Sequence, residues 1–139
     1  MVKFILGAKG SGKTMWLIDN ANDDNKQGNG NIAFLDVDDD HIFSLDYNVR
    51  LINIRDYGVD SLQGFYGFLG GMLAMDYDLE KIYVDSLYKL IPLDKDQLVE
   101  FYNNLVKISE KSECKIFINL GYSLDEIPSE LHENSIEVR

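Results

Sequence analysis

The stretch that most constrains this chain runs from Val2 to Thr14. Val2-Lys3-Phe4-Ile5-Leu6 is a short apolar run, and Gly7-Ala8-Lys9-Gly10-Ser11-Gly12-Lys13-Thr14 follows it directly. The second segment fits G-x-x-x-x-G-K-[ST], the phosphate-binding loop known as Walker A. Its spacing has a physical reason. Glycines let the backbone wrap a phosphate closely with amide N–H groups pointing inward. A helix starting at Lys13 adds its positive end to the same spot. Lys13 is placed to reach the β- and γ-phosphates of a nucleotide, and the Thr14 hydroxyl to hold Mg²⁺. A chance glycine-rich turn would need neither the strand pattern before the motif nor the helix pattern after it.

The remainder alternates strand and helix signals. Thr14 to about Asn25 reads as a helix with Trp16, Leu17 and Ala21 apolar, and the polar Asn20–Asn31 stretch as a surface loop. Asn31 to Leu35 is a compact apolar run of the kind found in buried parallel strands. Val49 to Ile54 is a second strand, apolar on both faces and so expected to be buried. Lys81-Ile82-Tyr83-Val84-Asp85 and Lys115-Ile116-Phe117-Ile118-Asn119 are further strands, and Ser135 to Arg139 a last edge strand. Asp94-x-x-Gln97 is a capping box opening the clearest amphipathic helix, with Leu98, Phe101, Tyr102, Leu105 and Ile108 at helical spacing. This order predicts a single α/β domain over residues 1–139 with a mostly parallel central sheet. Ligands in such sheets sit beyond the carboxyl ends of the strands, where Asp38, Asp85 and Asn119 fall.

The segment Asp60–Met75 also reads as a helix, but after Gln63 it carries no strongly polar side chain until Asp76. Gly64, Gly67, Gly70 and Gly71 weaken it intrinsically. A helix apolar all round must be covered on more than one side. Close packing against the sheet is one account; a second subunit or a protein partner on its outer face is the other.

Thirteen basic residues against 24 acidic ones give a net charge of −11, with no basic run, which argues against nucleic acid as a partner. Cys114 is the single cysteine, which excludes an intrachain disulfide and, with only His41 and His132 beside it, a structural zinc site. No signal peptide pattern and no membrane-length apolar run is present, so a cytoplasmic location is expected by default. Asp36, Asp38 and Asp40 stand two apart, yet the glycine and glutamate that a calcium loop of the EF-hand type needs are His41 and Tyr47.

Asp85, at the end of an apolar strand, is suited to hold Mg²⁺ opposite Thr14. With the loop, this pair resembles the core of RecA-type P-loop ATPases, the branch that includes bacterial recombinases and hexameric motors. The recombinase pattern places an acid pair, F-I-D-x-E-H, ahead of the metal-binding strand. Here it reads Phe34-Leu35-Asp36-Val37-Asp38, so the resemblance implies Asp38 as the base that activates water. Tyr83-Val84-Asp85-Ser86 matches the metal strand, with Ser86 where many such ATPases carry a catalytic glutamate. Ile116-Phe117-Ile118-Asn119 matches the fourth strand and implies Asn119 as a sensor, but Leu120 replaces the glutamine that couples to DNA in recombinases. The chain is also similar to small bacterial P-loop proteins labelled as related to the twitching-motility ATPase, although the separate N-terminal domain and the acidic and histidine boxes of that ATPase are not found. The MinD/ParA type needs a lysine where Ala8 stands.

The resemblance implies a three-layer P-loop fold with a minimal RecA-like core, taking ATP and Mg²⁺. A slow Mg²⁺-dependent ATPase acting as a switch or assembly factor is the leading expectation. A non-catalytic nucleotide-binding scaffold for a protein partner is the alternative. A small-molecule kinase ranks last, because Leu90 to Gln97 offers no arginine for a lid. No Asn-Lys-x-Asp guanine-reading motif occurs, which favours ATP over GTP.

Overall fold

Apolar runs separated by helical segments can bury their faces only by layering, and this chain does so around one sheet. The computed structural model describes residues 1–28 and 30–139. Strands β1 (Val2–Leu6), β2 (Asn31–Asp36), β3 (Arg50–Asn53), β4 (Leu79–Val84), β5 (Lys115–Asn119) and β6 (Ser135–Glu137) lie in the order β3-β2-β4-β5-β1-β6. All five strand pairings are parallel, β6 included. Parallel neighbours require crossovers, supplied in part by α1 (Lys13–Gln27), α2 (Leu62–Met75) and α4 (Leu98–Ser112), with a short α3 (Leu87–Leu90) after β4. Among the described residues no helix is long and apolar enough to cross a membrane.

The period-two alternation of the strands sorts their side chains onto two faces. Phe4, Leu6, Ala33, Leu35, Ile82, Val84, Ile116 and Ile118 pack with Phe65, Leu69 and Leu73 of α2 and Leu98, Phe101 and Leu105 of α4. The opposite face carries Ile5, Ile32, Phe34, Tyr83 and Phe117 beneath Leu17, Ile18 and Ala21 of α1. Three layers result. On the α1 side, strand register places Phe34 beside Tyr83 and Tyr83 beside Phe117. Their rings form a row with centroids 6.5 Å and 4.9 Å apart. On the other side Phe101 lies fully buried against Phe4, Phe65 and Tyr66. Truncating such a residue to alanine costs about 3–5 kcal/mol.

Three local expectations are corrected. Helix α1 does not dissolve into a loop after Asn20 but continues to Gln27 and ends on left-handed Gly28. Its polar residues are tethers. Asn22 donates to the Ser44 carbonyl and accepts from the Asp46 N–H, and Asp24 takes Lys81 at 2.7 Å together with the Tyr83 hydroxyl. Strand β3 is half-exposed rather than buried, because it stands at the sheet edge, where among the described residues only β2 pairs with it. Helix α2 starts at Leu62, capped by the Ser61 hydroxyl, and its glycines do not pack against the sheet. A Cβ at Gly67, Gly70 or Gly71 would meet nothing within 4 Å. Bulky residues face inward and glycines outward, so the sequence is apolar all round while the exposed strip carries little apolar bulk.

Candidate functional site

Two residues beyond the aromatic row, the same sheet face turns polar. Asp36 follows Phe34, Asp85 follows Tyr83, and Asn119 follows Phe117; a two-residue step in a strand returns to the same face. All three are nearly lost to solvent, at 1%, 2% and 0% exposure. Register also sets Ile5 opposite Asn119, so the Gly7–Thr14 loop emerges from β1 beside this polar row, with β5 between β1 and β4.

The loop itself is shaped by backbone needs. Gly7 has φ 151°, and a Cβ there would fall 2.4 Å from Ser11 Oγ and 2.5 Å from the Val138 carbonyl. Gly12 is left-handed (φ 102°) and caps α1 without any side-chain hydrogen bond; no acidic residue stands in the first turn. An ordinary helix start would use Ser, Thr or Asp to satisfy its free N–H groups. Here they stay available to an anion. Lys13 is buried, its Nζ donating to the Gly7 carbonyl at 2.7 Å. Burial pushes its pKa below the usual lysine range; the Asp85 charge opposes this shift and Lys89 adds to it. The Ser11 hydroxyl is buried with no hydrogen-bond partner among the described residues, and it lies on the side of the loop that faces Gly7 and Val138. The glycine loop, the buried Lys13 and the uncapped helix fit a nucleotide phosphate chain.

Asp85 stands at the centre of a polar network. Its Oδ1 accepts from Thr14 Oγ1 at 2.9 Å, Ser86 Oγ at 3.1 Å and Asn119 Nδ2 at 2.6 Å. Asn119 Oδ1 in turn accepts the Ser86 N–H at 2.6 Å. Only this orientation of the amide satisfies both the carboxylate and the N–H. Ser86 is held in a left-handed conformation (φ 60°), costly for a residue with a side chain and maintained by these bonds. The two residues expected at a metal, Thr14 and Asp85, are thus brought into contact, and their hard oxygen donors suit Mg²⁺. Asn119 clasps both Asp85 and Ser86.

Asp38 lies outside this network. It is half-buried in the turn after β2, and its Oδ1 accepts the Asp40 N–H at 3.1 Å. The acid beside Asp85 is Asp36. Its Oδ1 accepts the Val37 N–H at 2.8 Å, while Oδ2 is buried without a partner. Burial pushes its pKa up to about 6, helped by the Asp85 and Asp38 charges and opposed by the Val37 N–H. His41, from the next turn, brings Nε2 to 3.8 Å from Asp85 Oδ2. Sequence reasoning passed over Asp36 as a site residue. The signal was present: Phe34-Leu35-Asp36, Tyr83-Val84-Asp85 and Phe117-Ile118-Asn119 repeat one aromatic–aliphatic–polar triplet.

A cavity of about 580 Å³ opens over the loop, lined among others by Lys9, Lys13, Thr14, Ser86, Tyr88 and Lys89. Three lysines around one cavity make a cationic spot on a chain of net charge −11. Lys89 and Tyr88 were not anticipated, because α3 is a single turn without a periodic pattern. Leu120 sits fully buried in the core on the α2/α4 side. Arg50 pairs with Asp76 at 3.3 Å at the opposite end of the strands, and Arg55 Nε donates to the Val37 carbonyl at 3.0 Å.

No family model matches the chain, and no curated protein matches it at a significant level. Among solved structures it is similar to the flagellar accessory protein FlaH from Methanocaldococcus jannaschii, with 15% sequence identity and a TM-score of 0.49. That superposition covers 94% of this chain and 64% of FlaH, so the chain spans less than two thirds of that protein's length.

Proposed function

We propose that this chain binds ATP with Mg²⁺ at Gly7–Thr14 and hydrolyses it slowly, as a switch or an assembly factor. The observation that carries the reading is the start of α1: an uncapped first turn and a buried Lys13, beside a cavity lined by Lys9, Lys13 and Lys89. When bound, Mg²⁺ supplies positive charge to the phosphate oxygens, and Thr14 and Asp85 are the residues that would hold it. Backbone N–H groups of Ala8 to Thr14 cradle the phosphates, and the Lys13 ammonium offsets the charge that builds on the transferred phosphoryl group. Asp38 orients the attacking water and accepts its proton. Asn119, tied to Asp85 and Ser86, registers the state of the site by holding both in place.

A non-catalytic scaffold is the second reading, favoured by Ser86. Its hydroxyl and N–H are both committed to the Asp85–Asn119 network, where a catalytic glutamate is expected in the resembling ATPases. Nucleotide binding and phosphate release, each with and without Mg²⁺, separate the two for wild type, Lys13→Ala, Asp85→Ala and Asp38→Ala. Binding without Mg²⁺-dependent turnover removes the ATPase and keeps the scaffold. Absence of any nucleotide binding removes both. Contact with a second copy or a protein partner through the outer strip of α2 belongs to the same reading. A monomer at all concentrations, with and without ATP, removes self-association.

A further inference from the structure

The phosphate site uses one oxygen of Asp85 and neither the unpartnered oxygen of Asp36 nor the His41 ring. Asp85 Oδ1 already accepts three hydrogen bonds, while Oδ2 points to His41 Nε2 at 3.8 Å. Asp36 is 1% exposed and its Oδ2 has no protein partner. One ligand atom from each of Asp36, His41 and Asp85 can be chosen so that all three lie within 4.8 Å of one another. Two buried carboxylates this close repel each other, and an unpartnered buried carboxylate oxygen is costly on its own. A cation between them removes both costs.

We propose that Asp36, His41 and Asp85 bind a divalent transition-metal ion, separate from the Mg²⁺ proposed at Thr14 and Asp85. The donor set selects the ion. Two carboxylate oxygens and one imidazole nitrogen suit first-row transition metals, whereas Mg²⁺ prefers an all-oxygen shell. Metal–ligand bonds of about 2.0–2.2 Å place neighbouring ligand atoms about 3–4 Å apart, so the cluster must contract by roughly 1 Å. His41 is the ligand free to make that movement, since it rides on a turn with its side chain 29% exposed, while Asp36 and Asp85 are anchored at strand ends. Three protein ligands leave an open position for water or an anion oxygen.

The test uses the whole chain, stripped with chelator and free of nucleotide, so its outcome is independent of whether ATP binds. Mn²⁺ is titrated and followed by electron paramagnetic resonance, and Zn²⁺ by competition with a chromophoric chelator. The expected result is one equivalent bound that survives about a 100-fold excess of Mg²⁺, with a ¹⁴N coupling to bound Mn²⁺ from the His41 ring. His41→Ala abolishes the coupling and weakens binding at least about tenfold, Asp36→Asn weakens it similarly, and His132→Ala, which removes the other histidine, changes neither. No stoichiometric binding, displacement by equimolar Mg²⁺, or an affinity untouched by His41→Ala would each overturn the proposal. Because His41 stands on a half-exposed turn, its variant remains informative even if Asp36→Asn fails to fold.

Discussion

Asp36 and Asp85 occupy equivalent places and lead opposite lives. Each ends a central strand, each follows an aromatic ring by two residues on the α1 face, and each is almost fully buried. Asp85 has three donors on one oxygen. Asp36 has a single backbone N–H, and its second oxygen has no partner. Strand parity therefore decides where an acid stands, and its neighbours decide what it can do. A carboxylate with its donors in place is a rigid fixture; one without them is under electrostatic stress that protonation or a cation relieves.

Removing Asp85 is the severest way to break this contrast. Asp85→Ala strands the Thr14 and Ser86 hydroxyls and the Asn119 amide, and the unfolding free energy in urea is expected to fall by about 3 kcal/mol. Any Mg²⁺ dependence of nucleotide binding should vanish with it. Asn119→Ala comes next. It removes one donor from Asp85 and leaves the buried Ser86 N–H without an acceptor, with an expected loss of about 2 kcal/mol in the same measurement. If either variant were as stable as wild type, the network would be incidental and the two acids would differ less than their surroundings suggest.

Substitution at Asp36 should act in the opposite direction. Its folded pKa, about 6, lies above the unfolded value. Its contribution to stability is therefore fully present below about pH 4 and lost as pH rises through about 6. With chelator present, Asp36→Asn, which cannot ionise, should raise the unfolding free energy by about 1–2 kcal/mol at pH 7.5 and leave it nearly unchanged at pH 4. A destabilised Asp36→Asn at pH 7.5 would mean that the buried carboxylate finds partners in solution that the structure does not show.

The layout of the fold was legible because its determinants are local and periodic. Apolar runs of strand length, the glycines of the loop and the capping box of the 3₁₀ turn Lys95–Gln97 that leads into α4 report backbone needs that hold wherever the segment sits; Gln97 Oε1 does accept the Asp94 N–H, at 3.0 Å. Of the candidate site, local pattern could pick out one motif, from Gly7 to Thr14, and the acid that ends a strand, Asp85. Matching a family pattern drew attention to Asp38, whereas strand parity puts Asp36 beside Asp85. His41 and Lys89 reach the site through a turn and a one-turn helix, whose paths depend on tertiary packing rather than on any repeat. In α2 the period was readable but not which side faced out. Glycine carries no signal of direction, and the strip it forms is exposed because Phe65, Leu69 and Leu73 take the buried side.

The smallest expected effect on stability falls on Asp38, and it sharpens the comparison by setting against the row a third acid that stands outside it. Asp38 is half-buried, and an asparagine there keeps the acceptor that Oδ1 offers the Asp40 N–H. Asp38→Asn should therefore change the unfolding free energy by less than about 0.5 kcal/mol. Its effect on chemistry is separable from its effect on the fold. Under the proposed role of Asp38 in orienting and deprotonating water, Asp38→Asn should lower phosphate release about 100-fold while nucleotide affinity stays within about twofold. Unaltered release would move the water-activating role off Asp38 and leave the strand-end row of Asp36, Asp85 and Asn119 as the place to look for it.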